Sequence, residues 1–234
     1  MVNPTPQTNR FYGKGLPGID PASLHGRLIV VEGADGSGRS TQIEMLKDWL
    51  EQHGQPTVVV GLKRSSLVGR ELARAMEGNT LSPVTLSLFY ATDFADQLEN
   101  EIVPALQAGF LVLADRYIYT LMARQIVRGM RPEWVRDVYS FAVIPDRVIY
   151  LSVRPTTLAE RNFRKNTILD YWESGMDIQR SGDIYECFIR YQKQMRNAFQ
   201  KLQAEYRFDT VNGDRHPWVI FKDLRARLEA LLPP

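Results

Sequence analysis

The stretch at residues 26–41, GRLIVVEGADGSGRST, constrains the fold more than any other part of the chain. An apolar run meets a glycine-rich turn, and apolar residues at helical spacing follow from Arg39. The spacing of Gly33, Gly38, Arg39 and Ser40 is that of a phosphate-binding loop, where backbone N–H groups and a helix N-terminus face an anion. We therefore expect a strand, a nucleotide-binding loop and a helix, the alternative being an ordinary glycine-rich turn. The predicted ATP-binding residues are Gly33, Ala34, Asp35, Gly36, Ser37, Gly38, Arg39, Ser40 and Thr41.

One position departs from the usual loop, because Arg39 stands where the motif has a lysine. Arginine keeps the positive charge but replaces a compact ammonium with a wide planar fork, so the change is not conservative. We expect the loop to bind phosphate, and we expect the replacement of lysine by Arg39 to affect catalysis. Ser40 is the predicted Mg²⁺ ligand, since the hydroxyl at this position of the motif usually binds that ion.

Composition sets the broad class. A chain of 234 residues is long enough for one α/β domain with a substantial core. The formal charge of only +2 gives no reason to expect nucleic acid as a partner. Cys187 is the single cysteine, which excludes an internal disulfide and fits a reducing cytoplasm. No stretch approaches the roughly 18 apolar residues of a membrane helix, and no signal pattern is evident, so we expect a cytoplasmic protein with no membrane partner.

Apolar runs and helical patterns alternate along the chain. Strands are expected at residues 28–31, 57–60, 110–114, 147–153 and 208–211, and the long helices between them include 83–108 and 183–206. This alternation predicts a five-stranded parallel sheet flanked by helices and wound by right-handed crossovers. Residues 1–25, rich in Pro, Gly and Asn, are expected to form a flexible arm before a domain at 26–234.

Charged residues follow the second and third strands, and open parallel sheets bind ligands at the carboxyl ends of their strands. Lys63 and Arg64 are therefore placed to meet an anion, although an exposed pair of surface charges is the alternative. Asp115 and Arg116 follow the third strand directly, where they face a site or form a structural ion pair.

Residues 155–182 combine a basic helix with a polar and aromatic stretch that contains glycines. Such a segment fits a lid that carries Arg161 and Arg164 over a phosphate, and a solvated loop is the alternative. Phosphoryl transfer needs positive charge around the migrating group, a metal bridge and alignment of donor with acceptor. The loop, the lid and the charged strand ends together supply those requirements.

Two stretches, VEGADGSGRSTQ and IVPALQAGFLVLADRY, resemble the signatures of the thymidylate kinase family, and the resemblance spans residues 26–232. It implies a P-loop NTPase fold of the nucleoside monophosphate kinase type with a lid, ATP and Mg²⁺ as cofactors, a homodimer, and nucleotide substrates, most directly dTMP converted to dTDP. Because Gly36 stands where some members carry an arginine, the chain resembles the bacterial type, whose additional arginines come from the lid.

The resemblance also implies individual roles. Asp35 would lie near the 3′-hydroxyl of the acceptor sugar, Asp115 near the metal or its waters, and Arg116 on the acceptor phosphate. Tyr90 falls where the family has a phenylalanine that stacks on the base, and Gln125 falls on a family glutamine. The expected catalytic residues are Arg39, Asp35, Asp115, Arg116, Arg161 and Arg164. The expected acceptor-binding residues are Arg64, Tyr90, Phe94, Arg116, Arg124 and Gln125, and the expected metal ligands are Ser40 and Asp115.

Besides Arg39, which lies at the β- and γ-phosphates of the donor, the departures from the family pattern concern the acceptor side. Phe94 replaces an arginine that holds the base or the acceptor phosphate, Arg64 substitutes for another arginine, and Arg124 stands where a tyrosine near the acceptor sugar is expected. Two alternatives to a thymidylate kinase therefore stay open. One is a kinase for another nucleotide or nucleoside-like acceptor, and the other is a nucleotide-binding protein that has lost turnover.

Overall fold

The computed structural model describes residues 10–62, 64–77, 81–166, 169, 171–178 and 183–232. The predictions for Lys63, for the first nine residues of the arm and for lid residues 167, 168, 170 and 179–182 lie outside these ranges.

The described residues form one parallel sheet between two layers of helices, as the alternating pattern predicts. Its strands are β1 Arg27–Glu32, β2 Thr57–Gly61, β3 Leu111–Asp115, β4 Arg147–Ser152 and β5 Asp209–Asn212. Their order is β2-β3-β1-β4-β5, and every neighbouring pair is parallel. The helices are α1 Arg39–Gln52, α2 Gly69–Glu77, α3 Pro83–Gln97, α4 Val103–Gln107, α5 Ile118–Val127, α6 Pro132–Val138, α7 Pro155–Asn166, α8 Ile184–Tyr206 and α9 Pro217–Glu229.

The sheet is buried on both faces because successive side chains of a strand point in opposite directions. Leu28 and Val30 of β1 pack into one core together with α3, α5 and α8. Ile29 and Val31 pack into a second core formed with α1 and α9. This double burial explains why β1 reads as an unbroken apolar run rather than an alternating one. Among the described helices, none combines the length and the apolar character that a membrane span requires.

The long helix expected at residues 83–108 is not uniform. A π-helical turn at Leu98–Ile102 separates α3 from α4. Pro104 follows this turn, and a proline cannot donate the backbone hydrogen bond that would continue a regular helix. The helix therefore changes its winding just before Pro104, an effect that the spacing of apolar residues does not predict.

Residues 10–25 pack on the domain, so the expectation of a flexible arm is wrong for this part of the chain. Phe11 is 2% exposed and forms an isolated antiparallel bridge with Val143. Arg10 donates to Asp146 at 3.2 Å. Burial of the aromatic ring stabilises this attachment. The gain exceeds the chain entropy that a short Pro- and Gly-rich segment loses when it becomes ordered.

Candidate active site

Three strand ends converge on one carboxylate. In the sheet register, Asp115 at the end of β3 lies beside Val31 of β1 and Gly61 of β2. The hydroxyl of Ser40, in the first turn of α1, donates to Asp115 Oδ2 at 3.3 Å. The predicted meeting of the third strand with the phosphate loop is therefore present in the fold.

The loop after β1 has the backbone conformation that its glycines predict. Gly36 and Gly38 have φ of 83° and 91°, in the left-handed region that favours glycine. A side chain at Gly33 would place its Cβ 2.6 Å from the Ser37 hydroxyl oxygen. The resulting cavity has a volume of about 530 Å³. Its lining residues are Ala34, Asp35, Gly36, Ser37, Gly38, Arg39, Ser40, Thr41, Arg161, Asn162 and Lys165.

Arg39 lies beneath this loop instead of reaching across it. Its Nε donates to Asp115 Oδ1 at 2.8 Å, and Nη1 donates to the carbonyl oxygens of Gly33 and of Ala34, the latter at 2.8 Å. Burial lowers the pKa of the Arg39 guanidinium, but Asp115 and Asp35 outweigh that effect and raise it. The planar fork therefore holds the loop and its neighbouring carboxylates together, a role that a lysine could not fill with one ammonium group.

Asp35 links the loop to the next charged residue. Its Oδ1 accepts from Arg116 Nη2 at 2.7 Å and from Arg39 Nη2 at 3.5 Å. Burial would raise the pKa of this carboxyl group, but Arg116 and Arg39 hold it well below its usual range. A lowered folded-state pKa stabilises the fold above the ordinary aspartate range, and this contribution is lost as the pH falls through and below that range.

Arg116 is held in an uncommon backbone conformation, with φ of 72°. Its backbone N–H donates to Val31 O at 3.0 Å, and the buried Glu32 carboxylate accepts from the N–H groups of Tyr117 and Thr120. Burial raises the pKa of Glu32. Sequence reasoning missed Glu32, although a charged residue at the end of an otherwise apolar strand is the signal that could have found it.

A further carboxylate enters the site from the lid segment at residues 171–178. Glu173, 8% exposed, forms an ion pair with Arg124 and lies 3.9 Å from Arg116 Nη2. Arg124 Nη1 also donates to the Tyr90 hydroxyl at 3.5 Å. Glu173 was not predicted, because one glutamate in an aromatic stretch carries no spacing signal. It occupies the space between two arginines that the resemblance assigns to the acceptor.

A second cavity, narrow and of only about 20 Å³, opens beside these arginines. Its wall is mostly apolar. It includes three of the predicted acceptor-binding residues, Tyr90, Arg124 and Gln125. Gln125 Nε2 donates to the Tyr139 hydroxyl at 2.7 Å. The lining residues are Met76, Pro83, Leu86, Ser87, Tyr90, Arg124, Gln125, Arg128, Met130 and Trp172.

Phe94 does not line this cavity, which corrects its prediction as an acceptor-binding residue. It is 2% exposed, and its ring lies 5.1 Å from Tyr117 and 5.6 Å from Phe141. An aromatic side chain gains more from burial among other rings than from a polar site. Arg64 is about half exposed and lies 4.0 Å from Asp115, so it reaches the edge of the site.

The lid helix presents a different pair of cations from the predicted one. Arg161 donates to Gly36 O at 3.2 Å and to Gly213 O at 3.1 Å. Lys165, one turn later, lines the loop cavity, whereas Arg164 is exposed and does not. Arg164 and Lys165, three and four residues after Arg161, both lie near its helix face, so their spacing alone could not separate them.

The arrangement also bears on metal binding. The described residues contain no group of three or more His, Cys, Asp or Glu side chains that could hold a metal ion by themselves. The hydroxyl of Ser40 and the carboxylate of Asp115, 3.3 Å apart at the loop cavity, form an oxygen donor set. Mg²⁺ commonly uses one or two protein oxygens and completes its shell with phosphates and water, so these residues fit that ion.

Comparisons with known proteins agree on one family. The family model described as thymidylate kinase matches residues 31–214. The "Probable thymidylate kinase 2" of Saccharolobus solfataricus is 36% identical over 210 residues, covering 89% of this chain and 96% of that protein. The "Probable thymidylate kinase" of Pyrococcus abyssi is 30% identical over 67% of this chain and 79% of its own length. The "Thymidylate kinase" of Thermoanaerobacter pseudethanolicus is 28% identical over 86% and 96%, respectively.

Proposed function

The chain belongs to the thymidylate kinase family, and we propose that it transfers the γ-phosphoryl group of ATP to dTMP, giving ADP and dTDP, at the common end of β1 and β3. One observation carries this proposal. Alternating charges run without a break from the phosphate loop to the apolar cavity. In order, they are Asp115, Arg39, Asp35, Arg116, Glu173 and Arg124.

On the donor side, the amides of the loop and the N-terminus of α1 bind the phosphates of ATP. Ser40 and Asp115 would hold Mg²⁺, which would supply charge neutralisation at the phosphate oxygens. Because Arg39 is buried and already donates to loop carbonyls and carboxylates, the additional positive charge around the transferred group comes from Arg161 and Lys165, which line the loop cavity. This division agrees with the bacterial type, in which the lid supplies cations to the loop.

On the acceptor side, the phosphate of the nucleotide binds between Arg116 and Arg124. Its oxygens replace the Glu173 carboxylate, which already lies beside both guanidinium groups. The base enters this narrow cavity, whose walls must separate to admit it, and packs against Tyr90, with Gln125 at its edge. Asp35, close to Arg116, is then positioned for the sugar hydroxyl.

A specific observation favours a second candidate, a nucleotide-binding protein without turnover. The Arg39 guanidinium is 8% exposed and is committed to groups of the protein itself. If the charge of Arg39 must reach the β- and γ-phosphates for transfer to occur, the protein binds ATP but forms no ADP. ATP then raises the melting temperature although no product forms.

The experiment is a panel of acceptors offered with ATP and Mg²⁺, in which ADP release and the phosphorylated product are both measured. The panel contains dTMP, dUMP, dCMP, AMP and thymidine. We expect dTMP to give the highest kcat/KM. A higher value for another member would reassign the acceptor, and thermal stabilisation by ATP without ADP release from any mixture would establish the binding protein.

We propose further that the protein is a cytoplasmic homodimer whose other partners are small nucleotides. Val84 and Leu88, one turn apart on α3, are 48% and 49% exposed. An apolar pair on a helix surface is unfavourable in water and is stabilised by a second copy. Sedimentation at micromolar concentration tests this, and replacing both residues with glutamine is expected to give a monomer.

A further inference from the structure

Ser87 holds an unpaired hydroxyl in the wall of the acceptor cavity. The residue is 1% exposed, and its Oγ has no hydrogen-bond partner among the described residues. Gln125 Oε1, in the wall of the same cavity, is likewise buried and unpaired. Burying a polar group without a partner is unfavourable, so two such atoms in one apolar cavity indicate that a ligand completes them.

The other polar groups of this cavity are already occupied. The Tyr90 hydroxyl donates to Met76 Sδ at 3.2 Å, and it accepts from Arg124. Arg128 donates to Asp177 at 2.7 Å and to the Tyr191 hydroxyl at 2.7 Å. The free hydrogen-bonding capacity toward a base therefore rests with Ser87 and Gln125.

We infer that Ser87 is a specificity-determining residue that donates a hydrogen bond to a carbonyl oxygen on the edge of the acceptor base. This inference rests on the proposed function and deepens it. Gln125 Oε1 is a carbonyl oxygen and can only accept, so it pairs with an N–H on the base, while one N–H of Nε2 is donated to Tyr139. The hydroxyl of Ser87 serves as the donor to a neighbouring carbonyl.

A donor and an acceptor in one cavity wall are the two kinds of group that an imide edge needs, because there an N–H lies between two carbonyl groups. Thymine and uracil carry that edge. Cytosine instead presents a ring nitrogen that accepts, which would face Gln125 Oε1 acceptor to acceptor. A site built to hydrogen-bond a substrate discriminates against analogues that leave its polar atoms unpaired.

The position of Phe94 explains why a serine, and not a cationic side chain, donates the hydrogen bond to the base. Phe94 lies in the core, packed edge-on against Tyr117, so α3 offers no cation to the base from that position. Ser87 and Tyr90, three residues apart on α3, both line the cavity. The helix thus supplies a neutral donor from the face that it already turns to the acceptor.

The test compares Ser87→Ala and Ser87→Thr, with Thr92→Ala as the control. Thr92 is on the same helix but exposed, and its hydroxyl donates to Leu88 O within the helix. The kcat/KM values for dTMP, dUMP and dCMP are measured, together with calorimetric binding of dTMP in the absence of ATP. The melting temperature of the ligand-free protein is the third readout.

We expect Ser87→Ala to lower kcat/KM for dTMP and dUMP about tenfold, chiefly through KM, and to weaken dTMP binding by a similar factor. The value for dCMP stays within about twofold, because no hydrogen bond to it is lost. The melting temperature rises, by about 2 °C, since an unpaired hydroxyl leaves an apolar wall. Ser87→Thr keeps most of the discrimination.

An unchanged ratio of dTMP to dCMP in Ser87→Ala would overturn the inference. So would an equal loss for all acceptors with a lower melting temperature, which would mean that the hydroxyl has a structural role. If the wild type binds dTMP but phosphorylates nothing, the proposed function fails, while the change in dTMP binding still decides the role of Ser87. If the wild type does not bind dTMP, both are wrong.

Discussion

The two ends of the site are built in different ways. The phosphate loop is one continuous segment, residues 33–41, whose shape follows from backbone conformation at glycines. The acceptor cavity is assembled from side chains of α2, α3, α5 and the segment 171–178, which are separate in the sequence. The first end is therefore specified by local residue order, and the second by tertiary packing.

They differ in chemistry as well. The loop cavity, about 530 Å³, is lined by loop residues and by Arg161, Asn162 and Lys165 of α7. The acceptor cavity, about 20 Å³, is much smaller and mostly apolar. Asp35 and Arg116 join the two ends through a contact of 2.7 Å. The comparison indicates that changes at the loop should affect transfer, and changes at the acceptor cavity should affect which nucleotide is accepted.

The largest effect is expected for Asp115→Asn. This change keeps the shape of the side chain but removes the charge beside Arg39 Nε and the Ser40 hydroxyl. We expect kcat to fall roughly 100- to 1000-fold, because the negative charge that would hold Mg²⁺ at the phosphates and that pairs with Arg39 is lost. Asp48→Asn, on the exposed face of α1, is the control and should keep the wild-type rate. A kcat within tenfold of wild type would remove Asp115 from the transfer step.

Glu173→Gln tests whether a change on the acceptor side alters nucleotide binding without altering ATP binding. The neutral amide leaves Arg116 and Arg124 with less compensation, so we expect KM for dTMP to fall about three- to tenfold while KM for ATP stays within twofold. The melting temperature should decrease, because a buried ion pair is broken.

The matched control for that variant is Glu205→Gln. Glu205 pairs with Arg136 at 2.7 Å on an exposed part of the surface, away from both cavities. It should change neither KM. A higher KM for dTMP in Glu173→Gln would mean that the carboxylate binds the acceptor directly instead of standing in for its phosphate.

Arg39→Lys tests whether the loop depends on the planar fork. One ammonium group cannot replace donation to Asp115 and to the carbonyl oxygens of Gly33 and Ala34. We expect the free energy of unfolding to fall by about 1–3 kcal/mol. The control is Arg154→Lys, in a pair with 69% exposure on the arginine, where a change below about 0.5 kcal/mol is expected. Chemical denaturation measures both values, and equal stability of wild type and Arg39→Lys would contradict this role.

The smallest kinetic effect is expected for Phe94→Leu. This change tests whether Phe94 belongs to the core or to the acceptor cavity. The ring packs against Tyr117 and Phe141, so its loss should cost about 1–2 kcal/mol of stability. KM for dTMP should stay within twofold of wild type. Phe110→Leu, at a 37% exposed position, controls for the change of residue type. A KM for dTMP raised several-fold would restore Phe94 to the acceptor site.

The sequence predicted the sheet and the loop because both depend on local periodicity and on glycine spacing. The five strands lie within a few residues of their expected positions, and Asp115 meets Ser40 as the ends of parallel strands require. Glu173 could not be found, because its role depends on a distant segment folding over Arg124.

Other errors have equally physical causes. Phe94 was assigned to the acceptor by alignment with an arginine, but an aromatic side chain enters a core that a guanidinium would avoid. Arg164 and Lys165 are adjacent basic residues, and only the rotation of α7 decides which of them lines the loop cavity. The inward fold of Arg39 depends on the carbonyl directions of the loop, which residue spacing does not encode.

The most direct test of the central claim is phosphorus NMR of the protein mixed with ATP, Mg²⁺ and dTMP. The account predicts resonances of dTDP and ADP that grow in equal amounts, with no inorganic phosphate. Hydrolysis of ATP to ADP and phosphate without dTDP, or an unchanged spectrum from protein that binds both nucleotides, would contradict it.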